Sequence, residues 1–221
     1  MSLTNYYLSG VDPDMNRYVT QAIKNPNFVR WFSTSVVVND YGRPKPVFHG
    51  TNKDFTYFDK GDVGFHFGTL EQAEVRIGSM AMMEDGMNIK PFFLRILNPF
   101  IMNHDIWRHN RVDAWNDSIM GFIDDNYDNG RPIKVYPDRD RLVRVLQTKY
   151  GYDDSKGEFT FTELSQVTQF FIDMGYDGII YTNSLESMND TDNSYIVFKP
   201  QHIKSVFNSG TFSLNDKDFM K

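Results

Sequence analysis

The chain has 221 residues, of which 40% are hydrophobic and 24% are charged, and it contains no cysteine. These proportions are typical of a globular protein with a sizeable core, and they exclude a disordered chain, a collagen-like fibre and a coiled coil. Without cysteine the chain has no disulfide and no thiolate metal ligand, and a net charge of −6 without a basic run gives no footprint for duplex nucleic acid.

Helical spacing dominates the N-terminal region. The pair Asp12-Pro13 is a strong helix-start signal, and apolar residues then recur at intervals of three and four. Pro26 predicts a break or a kink in this helix. The aromatic residues within 28–32 allow two interpretations, a ligand shelf or a helix packed on the core, and their helical spacing favours the core.

Short strands and one helix come next. Residues 46–49 and 64–67 are predicted as short strands, the first of them ended by Gly50-Thr51. Residues 69–83 are predicted as a helix, because Thr69 and Gln72 stand at the two positions of a capping box.

The second half begins with a longer strand, predicted over residues 89–102, with Pro91 and Pro99 at its ends or at an edge position. A helical insertion is predicted over about 103–174, where three helical patterns alternate with polar loops. Those patterns run from Ile106 to Ile123, from Asp138 to Tyr150 and from Thr162 to Met174. Strands return at 177–182, 194–198 and 203–207. Because short loops join these late strands, we expect a single α+β domain over residues 1–221 with mainly antiparallel pairing.

The histidines and acidic residues do not form a recognisable metal motif. His104 and His109 are five residues apart, so a helix would not place them on one face. The loop Asp124–Gly130 is similar to a calcium-binding loop, but its glycine is the seventh residue and the twelfth position is Val135 rather than glutamate. We therefore expect no bound metal.

Three short strand-borne segments carry the functional signal: FHGT at 48–51, GFHFGT at 64–69 and NSYIVF at 193–198. A lone HGT is more typical of a strand end with a turn, but the three segments in this order are specific. The sequence resembles the ADP-ribosyltransferase fold of the diphtheria-toxin and poly(ADP-ribose) polymerase clade, above all the ADP-ribosyltransferase domains of phage and mobile-element polyvalent proteins. The resemblance runs from about Val47 to about Phe212. It implies split antiparallel β-sheets with an N-terminal helix and a helical insertion.

The resemblance implies NAD-binding roles for the first segment. His49 is expected to hydrogen-bond the adenosine ribose of NAD, and the backbone of Gly50 to clamp the nicotinamide carboxamide. Glycine suits this position because it has no Cβ to block the ring. The hydroxyl of Thr51 is expected to face the ligand.

The resemblance also implies NAD contacts in the second segment. His66 stands where clade members often carry a tyrosine that stacks on nicotinamide. Gly64 and Phe67 of the same segment are counted among the cofactor-binding residues, although strand alternation predicts that the Phe67 ring points into the core.

The third segment departs from the family pattern at Ser194, where the polymerases carry a glutamate that stabilises the developing oxocarbenium charge. A hairpin over residues 181–198, centred near Asp190, would place Glu186 directly opposite Ser194. Glu186 is therefore the first candidate for the missing carboxylate and Asp192 the second. The alternative is that Glu186 is a solvated hairpin residue. The predicted catalytic set is Glu186, Ser194 and His49.

These features predict a transferase that moves one ADP-ribose from NAD to an unknown acceptor, most readily a host protein, and releases nicotinamide. The alternative is a catalytically inactive module of the same fold that binds NAD, ADP-ribose or a partner protein, as a phage or mobile-element accessory protein. The N-terminal residues lack the character of a signal peptide, and no apolar run approaches the roughly 18 residues of a membrane span. We therefore expect a soluble protein of the cytoplasm, or of the host cytoplasm if a phage encodes it.

Overall fold

The computed structural model describes residues 15–59, 61–80, 88–102, 111–128, 133, 135–183, 186 and 192–221. The chain divides into two units, one formed by Met1–Asp105 and Gly178–Lys221 and the other by Ile106–Asp177. The predicted helix start at Asp12-Pro13 and the pair His104 and His109 lie outside the described residues.

Two short helices lead into the first unit, α1 (Met15–Ala22) and α2 (Pro26–Phe32). The predicted break at Pro26 is confirmed, because Asn25 caps α2 by accepting a hydrogen bond from the Asn27 N–H at 2.8 Å. The aromatic side chains of α2 are buried against rings from elsewhere in the unit: Phe28, Trp31 and Phe32 with Phe93 and Phe212. The core interpretation of this aromatic cluster is therefore correct.

The first sheet holds three antiparallel strands in the order β1-β3-β7, namely β1 (Val47–Thr51), β3 (Asn88–Leu94) and β7 (Ile203–Ser205). The predicted end or edge position of Pro91 is wrong, since Pro91 lies in the central strand. Proline is tolerated there because β7 ends at Ser205, so no residue of β7 requires a hydrogen bond from an N–H at position 91. The Pro91 carbonyl still accepts a hydrogen bond from the Val206 N–H at 3.1 Å.

The second sheet has the order β2-β6-β5-β4, with β2 (Phe65–Phe67), β6 (Asn193–Val197), β5 (Gly178–Thr182) and β4 (Pro99–Met102). Its pairs are antiparallel except β4 with β5. The single long strand predicted over 89–102 is wrong, because β3 and β4 belong to different sheets. Between them the Ile96 backbone bonds to Ser35 Oγ at 3.1 Å and to the Val36 N–H at 2.8 Å, so the chain leaves the first sheet there.

The two sheets are joined where β1 meets the end of β2. Phe48 and Gly68 exchange two backbone hydrogen bonds, of 2.8 and 3.0 Å. Among the described residues no further bridge joins β1 to β2, so the two sheets separate directly beyond this pair. This split, mixed α+β arrangement confirms the expected fold class.

Helix α3 (Leu70–Met80) follows β2 and packs on the first sheet. Its predicted capping box is confirmed, since Thr69 Oγ1 accepts from the Gln72 N–H at 3.2 Å and Gln72 Oε1 accepts from the Thr69 N–H at 2.8 Å. Ala73 and Ile77 face Ile89 in a small buried cluster.

The unit Ile106–Asp177 contains the three predicted helices, α4 (Val112–Asp128), α5 (Arg139–Tyr150) and α6 (Leu164–Asp173). Asp138 caps the start of α5, and Gly151 ends it in the left-handed region at φ 63°. Residues 124–128, which belong to the segment compared above with a calcium-binding loop, form the end of α4. Within the described part of the chain, no helix combines the length and the apolar character that crossing a bilayer requires.

Candidate functional site

His49 lies in β1, on the face that packs against the shared aromatic core. Strand alternation puts Val47 and His49 on one face, and the His49 ring contacts Phe58 and Phe67 at centroid distances of 5.1 and 5.5 Å. Its Nδ1 is 2.8 Å from the His66 carbonyl oxygen. Because a carbonyl only accepts, Nδ1 carries the proton, and Nε2 of the neutral ring is then an acceptor.

The electrostatic surroundings keep His49 neutral. Burial lowers the pKa of His49, and the positive charges of Arg76 and Lys90 lower it further. The hydrogen bond to the His66 carbonyl opposes this shift but is the smaller effect. His49 therefore presents a neutral imidazole with a defined tautomer.

Gly50 faces away from His49, toward helix α3. A Cβ on Gly50 would lie 2.9 Å from Ile77 Cγ1 and 3.0 Å from the Ala73 carbonyl oxygen. Glycine is thus required here by the close approach of a helix, a reason that the sequence did not reveal. The next residue, Thr51, is buried, and its Oγ1 accepts from the Lys53 N–H at 3.1 Å.

The backbone of Gly50 points into the gap where the two sheets separate. Its N–H and C=O share the direction of those of Phe48, which bond to Gly68. Continuing that antiparallel pairing would set His66 opposite Gly50, but the His66 carbonyl accepts from His49 Nδ1 instead. The His66 carbonyl is therefore bonded to the His49 side chain and does not extend the β1–β2 pairing to Gly50.

Strand β2 places its residues on two faces. Phe67 is buried in the core between the sheets, as predicted. His66 is half-buried on the opposite face and pairs with Ile196, which puts it on the same face of the sheet as Ser194. Gly64 is needed for close strand packing, because a Cβ there would lie 2.7 Å from the Val197 carbonyl oxygen.

The predicted register of the late hairpin is wrong. Ser194 pairs with Tyr181, not with Glu186, and Thr182 pairs with Asn193. The prediction assumed a tight hairpin with pairing up to a turn near Asp190, which lies outside the described residues. Strand β5 instead ends at Thr182, so Glu186 belongs to the connection between the strands.

Glu186 nevertheless reaches Ser194 through Asn183, a residue that none of the sequence motifs indicates. Asn183 Nδ2 donates to Glu186 Oε2 at 2.9 Å and to Ser194 Oγ at 3.1 Å. Asn183 Oδ1 accepts from the Glu186 N–H at 3.2 Å. One side-chain amide thus ties both the backbone and the carboxylate of Glu186 to β6.

The polar chain continues to helix α3. Ser194 Oγ donates to Gln72 Oε1 at 3.1 Å, the same oxygen that caps the helix through the Thr69 N–H. Gln72, Asn183 and Ser194 are only 2, 3 and 2% exposed. Buried polar side chains are tolerated where they form hydrogen bonds with one another. The one sequence feature that could have indicated this cluster is an asparagine placed directly after an apolar strand.

Glu186 is the partly open end of this chain, with its side chain 32% exposed. Arg76 of α3 lies 4.0 Å from Glu186 Oε1, but the Arg76 side chain is 61% exposed, so solvent screens the pair. The second candidate carboxylate, Asp192, contributes its carbonyl to the Asn183 N–H at 3.4 Å. The geometry links the Glu186 carboxylate to the side chain of Ser194 through Asn183.

No group of three or more histidine, aspartate or glutamate side chains suited to a metal ion occurs among the described residues.

A family model described as ADP-ribosyltransferase in polyvalent proteins matches residues 39–212. That range contains His49, His66, Asn183, Glu186 and Ser194. Comparisons with curated proteins and with solved structures gave no significant match.

Proposed function

We propose that this chain, which belongs to the family of ADP-ribosyltransferases in polyvalent proteins, binds NAD and transfers a single ADP-ribose to an acceptor. The bond between the nicotinamide nitrogen and the ribose C1′ breaks, nicotinamide leaves as a neutral molecule, and an acceptor nucleophile bonds to C1′ and loses its proton. The observation that carries the proposal is the neutral His49 beside the opened sheet edge, in the unit that also holds the Glu186 carboxylate.

His49 is the proposed contact to the adenosine ribose. Its Nδ1 proton is committed to the His66 carbonyl at 2.8 Å, so Nε2 of the neutral ring accepts a ribose hydroxyl. Burial, which lowers the pKa of His49, keeps that acceptor lone pair present at neutral pH.

The Gly50 backbone is the proposed clamp for the nicotinamide carboxamide. An N–H and a C=O directed into the gap between the sheets match the acceptor and donor of a primary amide. Thr51, Gly64, His66 and Phe67 complete the proposed NAD-binding set. Within it we assign stacking to the imidazole of His66 and support of the His49 ring to Phe67.

Glu186 is the proposed carboxylate for the dissociative step. As the bond to nicotinamide breaks, positive charge develops on the ribose, and a nearby carboxylate stabilises it in the transition state. Ser194 is placed in the same polar chain but carries no charge. A single transfer suits this arrangement better than polymer growth, and a host protein in the host cytoplasm is the proposed acceptor.

The second candidate is a module that binds NAD, ADP-ribose or a partner protein without catalysis. The observation in its favour is the state of Ser194, which is 2% exposed and whose hydroxyl is hydrogen-bonded on both sides by Asn183 and Gln72. A serine committed in this way stands where the polymerases of the clade place their charged residue. Nicotinamide release separates the two candidates.

The test of NAD binding is calorimetry on wild type and His49→Ala. We expect the substitution to weaken NAD binding by about 1–3 kcal/mol, since a buried ribose hydroxyl loses its acceptor. Incubation of the protein with labelled NAD and a host lysate then identifies the acceptor. Equal NAD affinity in the two proteins would remove His49 from the site.

A further inference from the structure

We propose that Asn183 is a positioning residue that holds the Glu186 carboxylate in place for the transferase reaction, with Ser194 and Gln72 as its anchor. This inference rests on the proposed function, because it explains how the carboxylate that the reaction needs is held in position. It also gives Ser194 a role that differs from a ribose contact.

Asn183 has the reach to fix Glu186 because it binds the residue at two points. Its Oδ1 accepts from the Glu186 N–H at 3.2 Å and its Nδ2 donates to Glu186 Oε2 at 2.9 Å. Glu186 lies in the connection after β5, outside the strand ladder that orders the residues up to Thr182. A carboxylate on such a segment depends on side-chain bonds for a fixed position.

The hydrogen bonds that anchor Asn183 all donate in one direction, from Asn183 through Ser194 to Gln72. Asn183 Nδ2 donates to Ser194 Oγ at 3.1 Å, and the Ser194 hydroxyl donates to Gln72 Oε1 at 3.1 Å. Gln72 Oε1 is already oriented by the Thr69 N–H at the start of α3. Asn183 is therefore anchored to a helix terminus rather than to a mobile surface group.

Serine fits position 194 because a hydroxyl both accepts and donates. An ionised glutamate there would accept from Asn183 but would turn an acceptor toward Gln72 Oε1. Gly68 leaves the room for this contact, since a Cβ on Gly68 would lie 2.3 Å from Gln72 Oε1. Serine at position 194 therefore supports the hydrogen bonds that hold Glu186, and Glu186 supplies the charge that Ser194 lacks.

A neutral amide is suited to this task because it orients a carboxylate without cancelling its charge. Arg76, at 4.0 Å from Glu186 Oε1, would cancel part of it, but its side chain is 61% exposed and screened by water. The negative charge of Glu186 therefore stays available to the developing cation on the ribose.

The experiment measures nicotinamide release from NAD by wild type, Asn183→Ala, Asn183→Asp, Glu186→Gln and the double variant Asn183→Ala/Glu186→Gln. We expect each Asn183 variant to lower kcat by about tenfold to a hundredfold with little change in KM, as a displaced catalytic group does. The double variant is expected to be no slower than Glu186→Gln alone, because Asn183 acts through that carboxylate.

Asn183→Asp keeps the size of the side chain and the acceptor for the Glu186 N–H but loses the donor, so it tests the role even if Asn183→Ala fails to fold. The matched control is Asn208→Ala. The Asn208 amide makes similar bonds away from the site, donating to the Phe219 carbonyl at 2.9 Å and accepting from the Gly210 N–H at 2.9 Å. Its loss should lower the melting temperature and leave kcat unchanged.

Three outcomes overturn the inference. Independent, multiplicative losses in the double variant would show that Asn183 does not act through Glu186. An equal loss of kcat in Asn208→Ala would show a general effect of stability. Wild type that binds NAD but releases no nicotinamide would overturn the proposed function together with the inference, and this outcome is distinct from the other two, which require an active wild type.

Discussion

The half-buried His49, which lies in the field of Arg76 and Lys90, contributes to how the stability of this protein responds to acid. Burial lowers the pKa of His49 below its ordinary value of 6.5. In the unfolded chain the same ring takes up its proton near 6.5, so the unfolded state binds more protons between that value and the lowered one. The resulting stability is complete above about 6.5 and is lost as the pH falls toward the lowered pKa of His49.

The matching measurement is urea unfolding of wild type and His49→Gln between pH 5 and pH 7, a window set by the ordinary histidine pKa of roughly 6.5. We expect the free energy of unfolding of wild type to rise with pH across this range more steeply than that of the variant. Parallel slopes would show that His49 is not desolvated in the folded state.

At the residue scale, His49 lies in a strand as predicted, but the hairpin register from which Glu186 was inferred is wrong. A strand over residues 46–49 is predicted from the local pattern, but the predicted end at Gly50 is wrong, because β1 continues through Gly50 to Thr51. Glu186 was nominated from a hairpin register, and the register is wrong because β5 ends at Thr182. What brings Glu186 to Ser194 is the side chain of Asn183, and side-chain bonding of this kind has no periodic signal in a sequence.

At the scale of elements, the contact between α3 and β1 rests on a missing side chain at Gly50. A methyl group there would press on Ile77 Cγ1 at 2.9 Å and on the Ala73 carbonyl oxygen at 3.0 Å. The second of these is helix backbone, which cannot turn aside. We expect Gly50→Ala to lower the free energy of unfolding by about 1–3 kcal/mol, the usual cost of overpacking.

Gly78 of the same helix supplies the control, because a Cβ there meets nothing within 4 Å. Gly78→Ala should raise the free energy of unfolding by up to about 1 kcal/mol through helix propensity. Denaturant unfolding measures both variants. If Gly50→Ala were as stable as wild type, the close approach of α3 to β1 would be wrong.

Elements with a clear local signal were predicted more reliably than elements defined by the sheet to which they belong. The break at Pro26 and the capping box of Thr69 and Gln72 depend on nearby residues, and both are present. The apolar run of 89–102 reads as one strand, yet β3 and β4 join different sheets. Nothing in the local pattern records that the Ile96 backbone bonds to Ser35 and Val36 instead.

At the scale of the whole molecule, the candidate site is assembled from positions far apart in the chain. Within one unit, β1 supplies His49, α3 supplies Gln72 and β6 supplies Ser194, while Asn183 directly follows β5. Tertiary structure alone joins the capping residue of α3 to the connection that carries Glu186. The family match over residues 39–212 spans all of these positions.

The proposed function requires that this protein breaks the bond between nicotinamide and ribose in NAD with the help of the Glu186 carboxylate. A developing positive charge about 4 Å from a carboxylate gains roughly 4 kcal/mol at an effective dielectric constant near 20, which is about a thousandfold in rate. The most direct measurement is nicotinamide release by wild type and Glu186→Gln, with NAD affinity measured alongside. We expect wild type to release nicotinamide and the variant to be slower by about two to three orders of magnitude with nearly unchanged affinity. Equal rates in the two proteins, or NAD binding without any release by wild type, would contradict the claim.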